Sequence, residues 1–433
     1  MRDLNERPSE RSIYIWNITG SKANELLSVV ALMIVTRMLD DRQADIFSIA
    51  WTISQLMATI GTFQIRMYQA TDVEGVFCFR QYFWFRIITV VIMMISSCGY
   101  ILVRGYYGEK ALVVLFVCAF RAIDSLADVY EGWFQQKERL DLSGKALTYR
   151  IVVAFIGFGV CLFFTKNLVA ATMVLIISYI ICFFFYDVRY IRSVKALREE
   201  RSLSKGMLWV IRMLKEGTPL FINAFLMMSI MNEPKMVLDT AIEQGNLGQG
   251  VQTIFNILFM PASFLNLAYI VFRPLITKMA IMWNTNRPKD FLKILIKIFG
   301  CLFGIAVFLF GGSALLGIPV LEIVYAVNLK DYKRHLLVII IGGCIYTFAA
   351  VLDNALVVIR KQNVLVLSYI MTYLYIKIVA SIMVKHWGVM GGAVSYFTAM
   401  SVFFVVTAIL FVILFKRESN KKIKTNVLVE TIS

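Results

Sequence analysis

The sequence holds few of the residues that soluble enzymes use for chemistry. Its two histidines, His335 and His386, lie near the ends of apolar runs and do not cluster, which leaves no imidazole pair for metal or acid–base work. Seven cysteines, at 78, 98, 118, 161, 182, 301 and 344, show no C-x-x-C spacing, and most sit inside apolar runs. That pattern argues against a disulfide framework or a zinc site. No G-x-x-x-x-G-K-[ST] run is present, so the chain has no P-loop with which to hydrolyse nucleotide. Acidic residues are outnumbered, 28 Asp+Glu against 44 Lys+Arg, for a net charge of +16. Residues 1–11 mix Arg2, Arg7 and Arg11 with Asp3, Glu6 and Glu10. No short apolar core with a small-residue cleavage site follows, so the first apolar stretch is expected to remain as a membrane anchor.

Apolar residues are abundant instead. They make up 59% of the 433 residues, and the mean hydropathy is +0.73; a soluble domain has roughly 45–50%. A membrane-spanning helix needs about 20 apolar residues, so the supply suffices for about twelve spans. Reading apolar runs between charged punctuation places them at 13–36, 44–67, 82–103, 111–134, 146–165, 168–188, 217–240, 249–272, 291–316, 336–359, 363–384 and 390–415. Backbone groups in hydrocarbon must be paired within the segment, which makes runs of this length helices. The ten-residue alternation of barrel strands is missing. The fold class expected is therefore an all-α integral membrane protein with about twelve transmembrane helices.

The basic surplus then reads as cytosolic loops rather than a nucleic-acid surface. With the N-terminus in the cytosol, about 31 of the Lys+Arg fall on that side and about ten on the other. Both termini are cytosolic in this arrangement, in agreement with the tail Lys416, Arg417, Lys421, Lys422 and Lys424. The connection from Arg189 to Lys215 is the longest and most basic. It divides the spans six and six, giving an N-terminal lobe with its linker over 1–205 and a C-terminal lobe over 206–433. Equal halves suggest an internal duplication. Gly20-Ser21 with Asn24 and Ser28 opens span one, and Gly217-Thr218 with Asn223 and Ser229 opens span seven; the second helix of each half ends on an arginine, Arg66 and Arg273.

Polar residues inside apolar spans are costly and normally face a wet cavity or a partner. In span one, Asn17, Gly20, Ser21, Asn24 and Ser28 share a face with Glu25 at its edge. This is either a helix-packing face or a polar cavity wall. Lys22 lies within reach of Glu25 at i+3, as a neutralising pair or a cavity cation. Span four places Arg121, Asp124, Asp128 and Glu131 in one narrow arc. Either Arg121 pairs with Asp124 while Asp128 and Glu131 reach cytosolic water, or the arc is a hydrophilic wall with a carboxylate able to take a proton or sodium. Span seven carries Glu233-Pro234-Lys235. Pro234 is a kink near the outer surface, with Lys235 snorkelling, or a hinge. Lys377 has no acidic residue within a helical turn and so needs a partner on another helix or an anionic ligand.

Residues 17–37 (NITGSKANELLSVVALMIVTR), 63–72 (FQIRMYQATD), 130–150 (YEGWFQQKERLDLSGKALTYR), 223–239 and 252–274 (QTIFNILFMPASFLNLAYIVFRP) resemble the bacterial polysaccharide flippases. These form the Wzx-like branch of the multidrug/oligosaccharidyl-lipid/polysaccharide (MOP) exporter superfamily, and the resemblance covers nearly the whole chain. It implies two six-helix lobes around a central cavity, alternating access, and a location in the bacterial cytoplasmic membrane. The implied cargo is a polyprenyl-pyrophosphate-linked oligosaccharide moved from the inner to the outer leaflet for surface polysaccharide biosynthesis. Membrane lipids and other polysaccharide-assembly membrane proteins are the partners expected, with no nucleic acid. Such a protein is not an enzyme and has no cofactor beyond a coupling H+ or Na+; no metal site is expected.

A diphosphate and a string of sugars cannot cross oil unaided, because desolvating charge and unpaired hydroxyls is prohibitive. The carrier must therefore supply cations and polar groups. Arg66 and Arg273 are the expected capture residues, since arginine grips phosphate with two parallel bonds. Arg121, Lys235, Lys377, Lys22 and Asn24 are candidates deeper in the path, Glu25, Asp124 and Asp128 are candidates for ion coupling, and Pro234 is the candidate hinge. A cation-coupled multidrug or metabolite antiporter of the same superfamily is the alternative. A membrane glycan polymerase is more remote, because the loops outside the membrane are too short to hold a catalytic domain.

Overall fold

The computed structural model describes residues 8–72, 75–194, 208–270 and 273–432, with side chains described except at 263–274, 362 and 421–433. Every regular element among them is helical. The chain forms two compact units, Met1–Met228 and Ser229–Ser433.

The first unit opens with α1 (Glu10–Met38), capped by the Ser9 side chain, which accepts from the Ser12 N–H. Helix α2 (Asp41–Thr62) starts on the Asp40 carboxylate, which accepts from the Gln43 N–H at 2.8 Å. One continuous span over 44–67 is expected from the apolar run, but the helix breaks. Phe63 and Gln64 both take the left-handed conformation, with φ of 46° and 52°, and α3 (Ile65–Thr71) leaves α2 at 45°. Two other helices secure the break. The carbonyl of Gly61, released from the helical ladder, accepts from Arg86 at 2.8 Å and from the Thr89 hydroxyl at 2.7 Å. Helices α4 (Phe79–Arg104), α5 (Gly108–Gln136) and α6 (Leu140–Thr165) follow. Helix α7 (Leu168–Cys182) widens into a π-helical turn at Phe183–Val188 before α8 (Arg189–Ser193).

Helix α9 (Leu208–Glu243) contains the division between the units. The division falls inside this helix rather than in the basic linker, because the first half of α9 packs on unit 1. Phe221 stacks on Phe63 at 4.6 Å, and Met213 is buried in a cluster with Ile65, Tyr82 and Phe85. The helix runs unbroken through Pro234.

Unit 2 continues with α10 (Val251–Ile270), α11 (Arg273–Asn284) and α12 (Pro288–Gly312). A wide turn at Ser313–Gly317 carries α12 on into α13 (Ile318–Tyr325). Helix α14 (Lys333–Val358) packs along α15 (Gln362–Ile432) and against α10. The long α15 is two helices joined at Gly388, whose φ of 52° and ψ of −126° suit a residue without a side chain. This junction falls in the expected gap between the runs 363–384 and 390–415.

Among the described residues, seven helical segments are long and apolar enough to cross a membrane, or eight if the bent α2–α3 pair is one span. The segment 363–420 counts once although it contains the Gly388 break. Helices α5 and α9 are not among them; α5 carries Arg121, Asp124, Asp128 and Glu131, and α9 carries Asn223, Asn232, Glu233 and Lys235 within its apolar stretch.

Candidate functional site

The small residues of α1 and α6 bring these helices into backbone contact. A Cβ on Gly20 would lie 3.0 Å from the Gly144 Cα, and a Cβ on Gly144 would overlap the Trp16 carbonyl. Close approach at this crossing sets the polar stripe of α1 opposite α5. A cavity of about 350 Å³ results. Helix α1 gives it Asn17, Ser21, Asn24 and Glu25; α5 gives Asp124, Ser125, Asp128 and Glu131; Thr62, Arg66 and Ser143 complete its polar wall. The two readings of the α1 face are thus both realised, Gly20 packing while Ser21 and Asn24 line the cavity.

Four of these wall residues, Arg66, Asp124, Asp128 and Glu131, belong to a network of eight charges. Arg66 bonds Asp128 at 2.9 Å and Glu131 at 3.0 Å. Arg86 holds the other oxygen of Asp128 at 2.7 Å. Arg121 pairs with Asp124 at 3.3 Å, its guanidinium lying over the Trp51 ring at 4.7 Å. Arg150 bonds Glu131, reaches Asp187 at 2.7 Å and stands 3.9 Å from Asp124. Arg86 and Arg150 are fully buried, and burying an unpaired guanidinium is prohibitive. Four arginines face four carboxylates, so the network is neutral in formal charge. The π-helical turn of α7 carries Asp187 into it, a geometry that wide turns often serve at special sites.

Several of the expected site residues lie in this network. Arg66, an expected capture residue, lines the cavity with its guanidinium held by two carboxylates. Asp124 and Asp128, the expected ion-coupling candidates, are both bonded by arginines. Glu131 is buried among arginines rather than reaching water. Lys22 and Glu25 pair at 2.8 Å with Lys22 exposed, and Asn24 lines the cavity. Among the residues lining the cavity itself, Glu25, Asp124, Asp128 and Glu131 stand against the single cation Arg66, so its wall is rich in acceptors rather than basic. No group of His, Cys, Asp and Glu suited to hold a metal ion occurs among the described residues.

Lys235, Lys377 and Pro234 belong to unit 2. Lys377 finds its partner on another helix, Glu233 of α9, at 2.6 Å. The Lys235 ammonium lies over the Phe259 ring at 4.5 Å, and no carboxylate approaches it among the described residues. Arg273 opens α11, but its side chain lies outside the described residues. Sequence reasoning missed Arg86, Arg150 and Asp187. The available signal was a basic residue four positions inside an expected span, Arg86 in 82–103 and Arg150 in 146–165, where an end-of-helix anchor is the ordinary reading.

No family model matches the sequence, and no curated protein matches it. Solved structures do. An inward-facing multidrug resistance MATE family transporter of the MOP superfamily has a TM-score of 0.68 at 13% identity, covering 93% of this chain and 96% of that one. The lipid II flippase MurJ in an inward closed conformation has a TM-score of 0.63 at 14% identity, covering 98% and 92%. A MOP superfamily transporter from Pyrococcus furiosus, described as having a binding pocket of reversed polarity, has a TM-score of 0.54 at 13% identity, covering 98% and 99%. The chain therefore has the all-helical, multi-span membrane fold of MOP superfamily transporters.

Proposed function

We propose that this protein is an alternating-access flippase of the bacterial cytoplasmic membrane. It moves a polyprenyl-pyrophosphate-linked oligosaccharide from the inner to the outer leaflet for surface polysaccharide assembly, and it is not an enzyme. In this reading the chain crosses the membrane twelve times, the charged helices α5 and α9 and the shorter α10 included, with both termini in the cytosol. The Wzx-like sequence segments and the fold shared with a lipid flippase support it.

One observation carries the reading to an anionic cargo. The deep cations of unit 1 are neutralised, and Lys377 is bonded to Glu233, but Lys235 has only an aromatic face. An ammonium over an aromatic ring gains about 0.5–2 kcal/mol, which does not fully offset the desolvation of a cation inside a membrane span. The remainder is supplied when an anion arrives, and a diphosphate head group is such an anion. The test is surface polysaccharide in cells that depend on this chain. Lys235→Gln is expected to lower export at least tenfold with normal membrane insertion, while Lys235→Arg retains it. Full export by Lys235→Gln would remove Lys235 from the cargo path.

A cation-coupled antiporter is the second reading, favoured by the acceptor-rich cavity of unit 1. It predicts that cells expressing the protein expel a cationic dye and that Glu25→Gln reduces this efflux. The flippase reading predicts no dye efflux above background.

A further inference from the structure

Helix α12, with its continuation α13, is the least buried of the seven apolar segments. Phe291, Leu295, Ile298 and Leu302 bury one side of α12. At about 3.6 residues per turn, the opposite side carries Lys289, Lys293, Lys297, Gly300, Gly304 and Val307, all of them exposed. This side is therefore basic at the start of the helix and apolar beyond it. The three lysines recur at i, i+4 and i+8, over about 12 Å of axis. Lys293 meets Asp290 of the same turn at 3.2 Å, and a solvated pair of this kind contributes little. Among the described residues, Lys289 and Lys297 have no ion pair. Lys297 stands six residues inside the apolar run that begins at 291, about 9 Å along the axis. Its stem can reach back toward the head groups, and a cation at that depth is best satisfied by an anion.

Past the lysines the surface is hollow. A Cβ on Gly300, Gly304 or Gly311 would meet nothing within 4 Å, while Phe303 and Phe308 rise on either side of this strip, 64% and 82% exposed. The trough from Lys297 to Gly311 is about 21 Å long at 1.5 Å per residue, the length scale of one acyl chain. Charge decides what covers it. A second copy of the chain, inserted in the same direction, would set lysines against lysines. The chain's own tail repeats the sign, with Lys416, Arg417, Lys421, Lys422 and Lys424. An anionic lipid complements both parts, because basic clusters at a membrane surface attract acidic head groups.

We propose that the exposed side of α12 is a docking site for an anionic phospholipid. Lys289, Lys293 and Lys297 hold its phosphate, and the glycine trough between Phe303 and Phe308 takes one of its acyl chains. The site uses no residue of the proposed cargo path and does not depend on which cargo the protein moves.

Native mass spectrometry of the full-length protein, delipidated in detergent and titrated with phosphatidylglycerol or phosphatidylcholine, tests this directly. Wild-type protein is expected to bind one phosphatidylglycerol at least fivefold more tightly than phosphatidylcholine. Lys289→Gln, Lys293→Gln and Lys297→Gln combined remove that preference. Gly300→Leu with Gly304→Leu fills the trough, leaves the charges in place and weakens phosphatidylglycerol binding at least threefold. Equal binding of the two lipids by wild type would overturn the proposal, as would a preference unchanged in the glutamine variant or binding unchanged in the leucine variant. If the glutamine variant does not accumulate, the leucine variant decides between these results. A disulfide-linked dimer formed in cell membranes by Gly304→Cys, but not by wild type, would place a second copy on this side of α12 and overturn it too.

Discussion

Arg150 is surrounded by Glu131, Asp187 and Asp124 with no exposure to solvent. Removing one member of such a buried group strands the others, at a cost of about 3–5 kcal/mol. Arg150→Ala is therefore expected to fail to accumulate in the membrane or to melt far below wild type in a detergent thermal-shift assay. Asp187→Asn, which keeps an acceptor for Arg150, is expected to lose less. Wild-type stability in Arg150→Ala would mean that the network contributes little to unit 1. Half of this network was legible in the sequence. Arg121, Asp124, Asp128 and Glu131 recur at helical spacing, so their common face follows from periodicity alone. Their partners come from α3, α4, α6 and the turn after α7, and no local pattern reports which distant helix a side chain meets. The same limit applied to Lys377, whose need for a partner was readable but whose choice of Glu233 was not.

At the scale of the element, two junctions decide where the cavity lies. The first is the crossing of α1 and α6, where Gly20 and Gly144 let the backbones touch. Gly144→Val pushes a side chain into the Trp16 carbonyl and is expected to separate the helices, reducing the monodisperse fraction in size-exclusion chromatography. Ala at Gly159, where a Cβ would meet only the tip of Ile34 at 3.7 Å, is the control expected to behave as wild type. The second junction is the break between α2 and α3. Thr89→Val removes one of two donors to the Gly61 carbonyl and is expected to cost about 1 kcal/mol in unfolding free energy. Arg86→Met removes the other donor and also releases Asp128, so its loss should be larger. The sequence revealed the long helices because apolar length is a local property. It concealed the break because Phe63 and Gln64 are neither glycine nor proline. Their left-handed conformations are imposed by packing, Phe63 against Phe85 and Phe221. At Gly388 the opposite holds, and the gap between apolar runs marked the junction.

For the whole molecule, composition alone pointed to a membrane protein, since so apolar a chain has no soluble alternative. A short helix follows a long one in each unit, α3 after α2 and α11 after α10. The division inside α9 was not legible, because a basic linker marks where the chain meets water and not where one packed unit ends. The measurement that tests the proposed cargo most directly is translocation of a polyprenyl-diphosphate-linked oligosaccharide across proteoliposomes containing the full-length protein. Wild-type protein is predicted to expose the labelled lipid in the opposite leaflet, Lys235→Arg to retain this, and Lys235→Gln to slow it at least tenfold. No movement by wild-type protein above empty liposomes, or equal rates for wild type and Lys235→Gln, would contradict it.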